Sequence, residues 1–358
     1  MALLRITSPH TQRAGRRTAW VMQMVILATI PGIVVQTWLF GWGTLINVMI
    51  ACITALLCEA AILSLRRRAV AFFLKDYSAL LTAVLLGVAL PPIVPWWVTV
   101  TAVAFAIIFA KQIYGGLGNN PFNPAMVGYA IVLVSFPVPM SQWLGVQSLV
   151  SAQDTLTFTQ SLQAIFQFLP VVESHALIDA YTMATPLDGF KTKDLLTAEE
   201  AFNTVPALHA ANLNSWLWVN LAYLVGGLGL LWLRIITWHT PVALLGALLV
   251  MSGFFYGVDS ANAASPFFHL TTGAAMFGAF FIATDPVSSC TSNRGKLIYG
   301  AGIGILIYII RAWGGYPDGV AFAVLLMNFA APLIDYYSQP RTYGHQKAKT
   351  GLKIGEDN

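Results

Sequence analysis

Ten apolar runs punctuate the chain: 19–40, 43–65, 78–91, 96–113, 124–137, 215–233, 241–257, 270–284, 297–312 and 320–337. A bilayer core takes about 20 apolar residues of helix, and fewer where a helix is broken or re-entrant. The pattern predicts an all-α polytopic membrane protein of about ten spans, three of them short (78–91, 124–137 and 270–284). One long connection, 138–214, separates the first five runs from the last five.

Composition agrees with this reading. The 358 residues are 57% hydrophobic and 9% charged, whereas a soluble domain carries about 25% charged residues. So few charges cannot clothe a water-soluble surface of this size. Intrinsic disorder, nucleic-acid binding and a secreted disulfide scaffold are set aside. Cys52, Cys58 and Cys290 make no C-x-x-C pair and no ligand quartet, so no zinc or iron–sulfur site is expected. No cleavable signal peptide is expected either. The run that follows Arg13, Arg16 and Arg17 is too long and lacks a small-x-small cleavage site.

The basic residues give an orientation. With ten spans and a cytoplasmic N-terminus, every Lys and Arg except Lys191, Lys193 and Arg311 falls on the inside. Both termini then lie in the cytoplasm. The 138–214 connection lies on the far side with Asp154, Glu173, Asp179, Asp188, Asp194, Glu199 and Glu200. The expected organisation is a first membrane repeat over 1–137, an outer loop region over 138–214, a second repeat over 215–340 and a cytoplasmic tail over 341–358.

Two matched pairs of segments suggest the repeat. Segment 78–92 (SALLTAVLLGVALPP) and segment 271–286 (TTGAAMFGAFFIATDP) are both short, rich in small residues and end at a proline. Lys111-Gln-Ile-Tyr-Gly-Gly precedes the broken stretch LGNNPFNP, and Arg311-Ala-Trp-Gly-Gly precedes YPDG. Five spans per half is an odd number, so the second half is expected upside down relative to the first. Inverted repeats with Gly/Pro-broken helices are a transporter-like architecture, and such backbone is tolerated at membrane depth only beside a cavity or ligand.

Within the outer loop, Thr182-Met-Ala-Thr185 fits the pattern S/T-x-A-T. That pattern is the acceptor for covalent flavin mononucleotide in flavoproteins of respiratory membranes, where a Mg²⁺-dependent flavin transferase moves FMN from FAD onto the last threonine. The acceptor hydroxyl must reach another enzyme's cleft, so the motif has to be slim and exposed, and Ala184 supplies the slimness. Thr185-Pro-Leu-Asp188 also reads as a helix start, with threonine as N-cap, proline first and an acid third. Thr272-Gly-Ala-Ala275 mimics the acceptor but ends in alanine, which has no hydroxyl; it is expected to line a cavity instead.

Other polar residues carry weaker expectations. Asn123 and Asp318 are candidate caps of the fifth and tenth spans, with an ion or flavin site at those breaks as the functional alternative. Glu59 sits about 10 Å inside the second span at 1.5 Å per residue, where an unpaired carboxylate costs about 1–3 kcal/mol. It is expected in a local pair or, failing that, in ion or proton handling. Asp76, Asp285 and Asp335 are expected as caps or salt-bridge partners. Lys111 and Arg311 could face a phosphate or anionic flavin, or snorkel to the interface. The tryptophans are expected mostly at the interfacial belts.

Taken together, the runs Lys75-Asp-Tyr-Ser-Ala-Leu-Leu-Thr82, Lys111-Gln-Ile-Tyr-Gly-Gly-Leu-Gly-Asn-Asn-Pro-Phe-Asn-Pro-Ala-Met126, Ala184-Thr-Pro-Leu-Asp188, Phe280-Phe-Ile-Ala-Thr-Asp-Pro-Val287 and Gly314-Gly-Tyr-Pro-Asp-Gly-Val-Ala-Phe-Ala-Val-Leu-Leu326 resemble the D subunit of the Rnf (or Rsx) electron-transport complex nearly end to end. The chain is more distantly similar to the B subunit of the Na⁺-translocating NADH:quinone oxidoreductase. Thr182 stands where many relatives have serine.

The resemblance implies a multi-pass subunit of the bacterial inner membrane beside the A, B, C, E and G subunits. It implies FMN on Thr185, on the periplasmic side, as an electron relay, loaded by a flavin transferase. The complex would couple electron flow between ferredoxin and NAD(H), or the reduction of a redox-sensing transcription factor, to movement of Na⁺ or H⁺. It would be a translocase (EC class 7) in which this subunit is not catalytic alone. The distant cousin also holds a non-covalent riboflavin, which leaves a second flavin open here. A stand-alone channel or secondary transporter would share the ten spans but not the flavin.

Overall fold

The structure, a computed structural model, describes residues 18–145, 156–167, 181–193 and 195–338. The expected cytoplasmic tail 341–358, Arg5, Arg13, Arg16 and Arg17, and the loop acids Asp154, Glu173, Asp179 and Asp194 lie outside the described residues.

Among the described residues the fold is helical, apart from one isolated antiparallel bridge between Leu144 and Thr182. In chain order come α1 (Thr18–Phe40), α2 (Gly43–Leu65), the short α3 (Val70–Leu74), α4 (Ser78–Ala89), α5 (Trp96–Ala104) continuing as a π-helix through Phe105–Gln112, and α6 (Pro124–Ser135). The long connection holds α7 (Pro137–Ser141), α8 (Phe158–Phe166), α9 (Pro186–Lys191), α10 (Ala198–Thr204) and a 3₁₀ turn, Pro206–Leu208. Then follow α11 (Ala210–Trp232), α12 (His239–Val258), α13 (Pro266–Thr271), α14 (Ala275–Phe277) continuing as a π-helix through Gly278–Ile282, α15 (Asn293–Trp313) and α16 (Val320–Ser338).

Six of these, α1, α2, α11, α12, α15 and α16, are long and apolar enough to cross a membrane. The chain is a multi-pass membrane protein. The other apolar runs are shorter helices, and the short 270–284 run is broken in two. α13 stops at Thr271, the chain turns through Gly273 at φ +64°, and α14 restarts two residues later.

Outward-facing Val34, Ile53, Leu57, Val225, Phe254 and Phe329 are exposed, as lipid-facing side chains of a helical bundle must be. The inward faces are lined by small residues that let backbones approach. At Gly226 a Cβ would lie 2.0 Å from the Ala28 carbonyl oxygen, so α11 and α1 pack with no room for a methyl group. Asn123 caps α6 by accepting from Ala125 N at 3.0 Å, and its amide donates to Ile282 O at 3.3 Å, which ties α6 to the broken segment.

The long connection builds its own small core. Leu187, Ala201 and Leu208 are buried with Ala264 and Phe268, so the loop packs directly onto α13 and the turn before it. Capping boxes at Thr157/Gln160 and Thr197/Glu200 start α8 and α10.

Candidate functional site

Thr185 begins α9. Its backbone is extended (φ −67°, ψ 158°), its hydroxyl accepts from Asp188 N at 3.3 Å and Pro186 occupies the first helical position. The helix start read from the sequence is therefore present. Thr185 and Asp188 stand half-buried on the wall of a cavity of about 420 Å³, while Ala184 is exposed. A volume of about 300–1,000 Å³ is the usual range for small-molecule sites.

Three anchors hold the motif on this cavity. On one side, Met183 N donates to Trp143 O at 2.8 Å and Gly145 N to Tyr181 O at 2.9 Å, the two rungs around the Leu144–Thr182 bridge. On the other, Lys191 donates to Tyr316 O at 2.8 Å and Ile310 O at 3.2 Å. Beneath, Leu187 fits against Gly273, where a Cβ would lie 2.4 Å from the leucine Cδ1. That glycine belongs to the false acceptor Thr272-Gly-Ala-Ala275. Thr272 is buried with its hydroxyl spent on Phe268 O, and Gly273 and Ala274 line the cavity as expected.

The break between α13 and α14 exposes backbone groups that need partners. Asn220 of α11 supplies them. Its amide nitrogen donates to Thr271 O at 2.8 Å and Gly273 O at 3.1 Å, and its oxygen accepts from Met276 N at 3.2 Å. Asp318 does the same from the far side by accepting from Ala274 N at 2.8 Å, and its other oxygen accepts from Arg311 at 3.2 Å. Both of its oxygens are thus committed to the break and to Arg311, not to the capping of α16 expected from the sequence. Asn220 and Asp318 also line the cavity.

Burial also governs the charges flanking α9. Desolvation holds Asp188 above the usual carboxylate pKa, with Lys191 pulling it back in part. The same desolvation holds Lys191 below its usual value, opposed by Asp188.

Neither basic residue at the matched repeat positions reaches the cavity or snorkels. Arg311 is buried, with Nη1 donating to His269 O at 2.6 Å. Lys111 is buried against Glu59 at 2.6 Å, with both side chains about as occluded as an apolar core residue. Ser78 Oγ accepts from Lys111 at 2.7 Å, and Gln112 donates to the same Glu59 oxygen at 2.8 Å. Glu59 thus sits in the local pair expected of it. Asp76 and Asp285 accept from the nearby Ser78 N and Ser288 N, as local caps do, whereas Asp335 accepts from Thr291 N, 44 residues earlier, and so ties α16 to the chain just before α15.

A family model described as the NQR2, RnfD, RnfE family matches residues 5–344. The chain belongs to that family. Among its relatives is the D subunit of the ion-translocating oxidoreductase complex of Ectopseudomonas mendocina (strain ymp), 56% identical over 99% of this chain and 100% of the relative. Proteins of the same description from Pseudomonas aeruginosa (strain UCBPP-PA14) and Cellvibrio japonicus (strain Ueda107) are 54% and 53% identical, over 99% and 98% of this chain and 100% and 97% of the relatives.

In this member of the family, the sequence pattern pointed to Thr185 and Asp188 and to Thr272-Gly-Ala-Ala275 as a cavity-lining stretch. It did not point to Asn220, Trp143 or Trp216. An uncharged amide inside an apolar span was the one signal for Asn220. The two tryptophans were hidden among belt residues such as the exposed Trp38 and Trp232.

Proposed function

We propose that this chain is the membrane redox subunit of an Rnf-type ion-translocating ferredoxin:NAD⁺ oxidoreductase, or of the related Rsx-type reducing complex, and carries FMN esterified to Thr185. The observation that carries the reading is that Thr185, the threonine that ends the S/T-x-A-T pattern, stands half-exposed on the wall of a cavity whose chemistry suits a flavin. Trp143, Trp216, Tyr223 and Phe277 line the cavity with aromatic rings suited to a planar ring system, and Gln36 brings an amide to it, while the Asn220 amide stays committed to the broken backbone. Thr185 would hold the phosphate, with Ala184 exposed so that a flavin transferase can reach the hydroxyl.

When bound, the flavin supplies one- and two-electron transfer. The chain's own residues position it. The Trp143–Met183 rung, the Lys191 anchor and the Leu187–Gly273 contact fix the threonine relative to the cavity. Asn220 and Asp318 keep the broken backbone satisfied beside it, so that the cavity survives at the edge of the bilayer.

The architecture supports an ion-translocating role in outline. Helices α1, α2, α4, α5 and α6 have counterparts of the same order in α11, α12, the broken α13–α14 segment, α15 and α16. We read these as ten spans in two inverted repeats, with both ends cytoplasmic and the α9 loop periplasmic in the bacterial inner membrane. The A, B, C, E and G subunits are the expected partners, and Na⁺ or H⁺ the coupled ion.

The test is in-gel fluorescence. Purified from cells with an active flavin transferase, denatured and run on a gel, the band should glow under ultraviolet light. Thr185→Val should darken it and Thr182→Ser should not. A dark band from the unaltered protein would instead favour a channel or transporter without a flavin.

A further inference from the structure

The bridge that holds the acceptor motif does a second job. Trp143 O accepts from Met183 N, two residues before Thr185, so the rung that fixes the motif also fixes the Trp143 side chain on the wall of the same cavity. Trp216 meets it there at 5.4 Å between ring centroids, tilted by 59°. Phe40 packs against Trp216 at 5.3 Å and against Trp143 at 6.3 Å. Trp216 is buried, and its neighbours on the same face of α11, Val219, Asn220 and Tyr223, line the cavity too. Phe40 is buried at the end of α1. The indole pair is thus backed by the bundle on one side and open to the cavity on the other.

We propose that Trp143 and Trp216 form the wall against which the flavin ring held at Thr185 packs. The inference rests on the attachment reading above and adds residues that no motif marks. Two electron-rich indoles are the side chains best suited to stack on an electron-poor tricyclic ring. Their contact has an optical consequence. An indole touching a photoexcited flavin lends it one electron and takes it back, with no net change, and emission is lost. A tryptophan at the far side of the molecule does not do this.

The experiment uses the full chain, purified in detergent after co-expression with a flavin transferase. Two readouts are taken on each sample: flavin emission in the native state, and emission of the denatured band on a gel. The unaltered protein should be dim when native and bright once denatured. The double variant Trp143→Leu with Trp216→Leu should raise native emission several-fold with the gel band unchanged, and each single variant should raise it less, because the remaining indole still quenches. Trp216→Tyr restores an electron-rich ring at that site and should return the emission towards the dim level, which a merely structural role for Trp216 would not do. Trp97, which packs on Phe136 at 4.9 Å and is absent from the cavity wall, is the control; Trp97→Phe should leave native emission unchanged.

Native emission that stays the same in the double leucine variant, with a bright gel band, overturns the wall and leaves the attachment standing. A dark gel band from the unaltered protein overturns the attachment and the wall with it.

Discussion

The Lys191 ammonium donates to the Tyr316 carbonyl at 2.8 Å across 125 residues of sequence. With its second bond to Ile310 O, it fastens the outer loop to the joint between α15 and α16. Removing it by Lys191→Met should free both partners. A charge-assisted bond is worth about 1.5–3 kcal/mol, and partial solvent screening at this half-buried site brings the expected loss to about 1 kcal/mol. Hydrogen–deuterium exchange should speed up over 186–193 and 314–318 together. Faster exchange in only one of the two segments would contradict the coupling.

Asp188 gives a pH signature. Its carboxyl pKa lies above the ordinary value because burial outweighs the pull of Lys191, so the folded form holds the proton more tightly than the unfolded chain does. Its contribution to stability is therefore largest below the ordinary carboxylate pKa and is lost as pH rises through the folded value. The unaltered protein should lose melting temperature relative to Asp188→Asn on going from about pH 4 to about pH 7. A difference that is flat, or that runs the other way, would refute the burial argument.

Lys111 and Glu59 lie 2.6 Å apart inside the bundle. Breaking a buried pair from one side typically costs about 3–5 kcal/mol because a lone charge remains. Lys111→Met alone should sharply lower the thermal stability and yield of the detergent-purified protein. The double variant Glu59→Leu with Lys111→Met should recover most of that loss, as apolar replacements of buried pairs often do. Equal damage in the single and double variants would show that the two residues do not act as a pair.

The α1–α11 seam separates two glycines three positions apart. A methyl group at Gly226 would overlap the Ala28 carbonyl, whereas nothing lies within 4 Å of one at Gly229. Gly226→Ala should cost about 1–3 kcal/mol through overpacking. Gly229→Ala should be neutral or gain up to about 1 kcal/mol from helix propensity. Thermal melts of the two variants check the contrast, and equal effects would count against the seam.

What was legible in the sequence was local. The Thr185 cap needs only Pro186 and the amide of Asp188, three residues on, and the ends of the apolar runs fall within a few residues of most helix ends. What was not legible depended on distant partners. Lys111 offered a choice between phosphate and interface, yet its carboxylate lies 52 residues away on α2. Asp318 had the position of a cap for the following helix, but an unpaired amide 44 residues earlier, Ala274 N, takes one of its oxygens. The break inside 270–284 was foreshadowed by small residues; its repair by Asn220 required the fold.

Phe268 belongs to two structures at once: it is a residue of the broken helix α13 and a member of the long connection's own core, with Leu187 one residue from Asp188, whose amide donates to the capping hydroxyl of Thr185. The two are geared together. Because Phe268 is shared, a shift of α13 requires repacking of the core that seats Leu187, and with it the threonine two residues before.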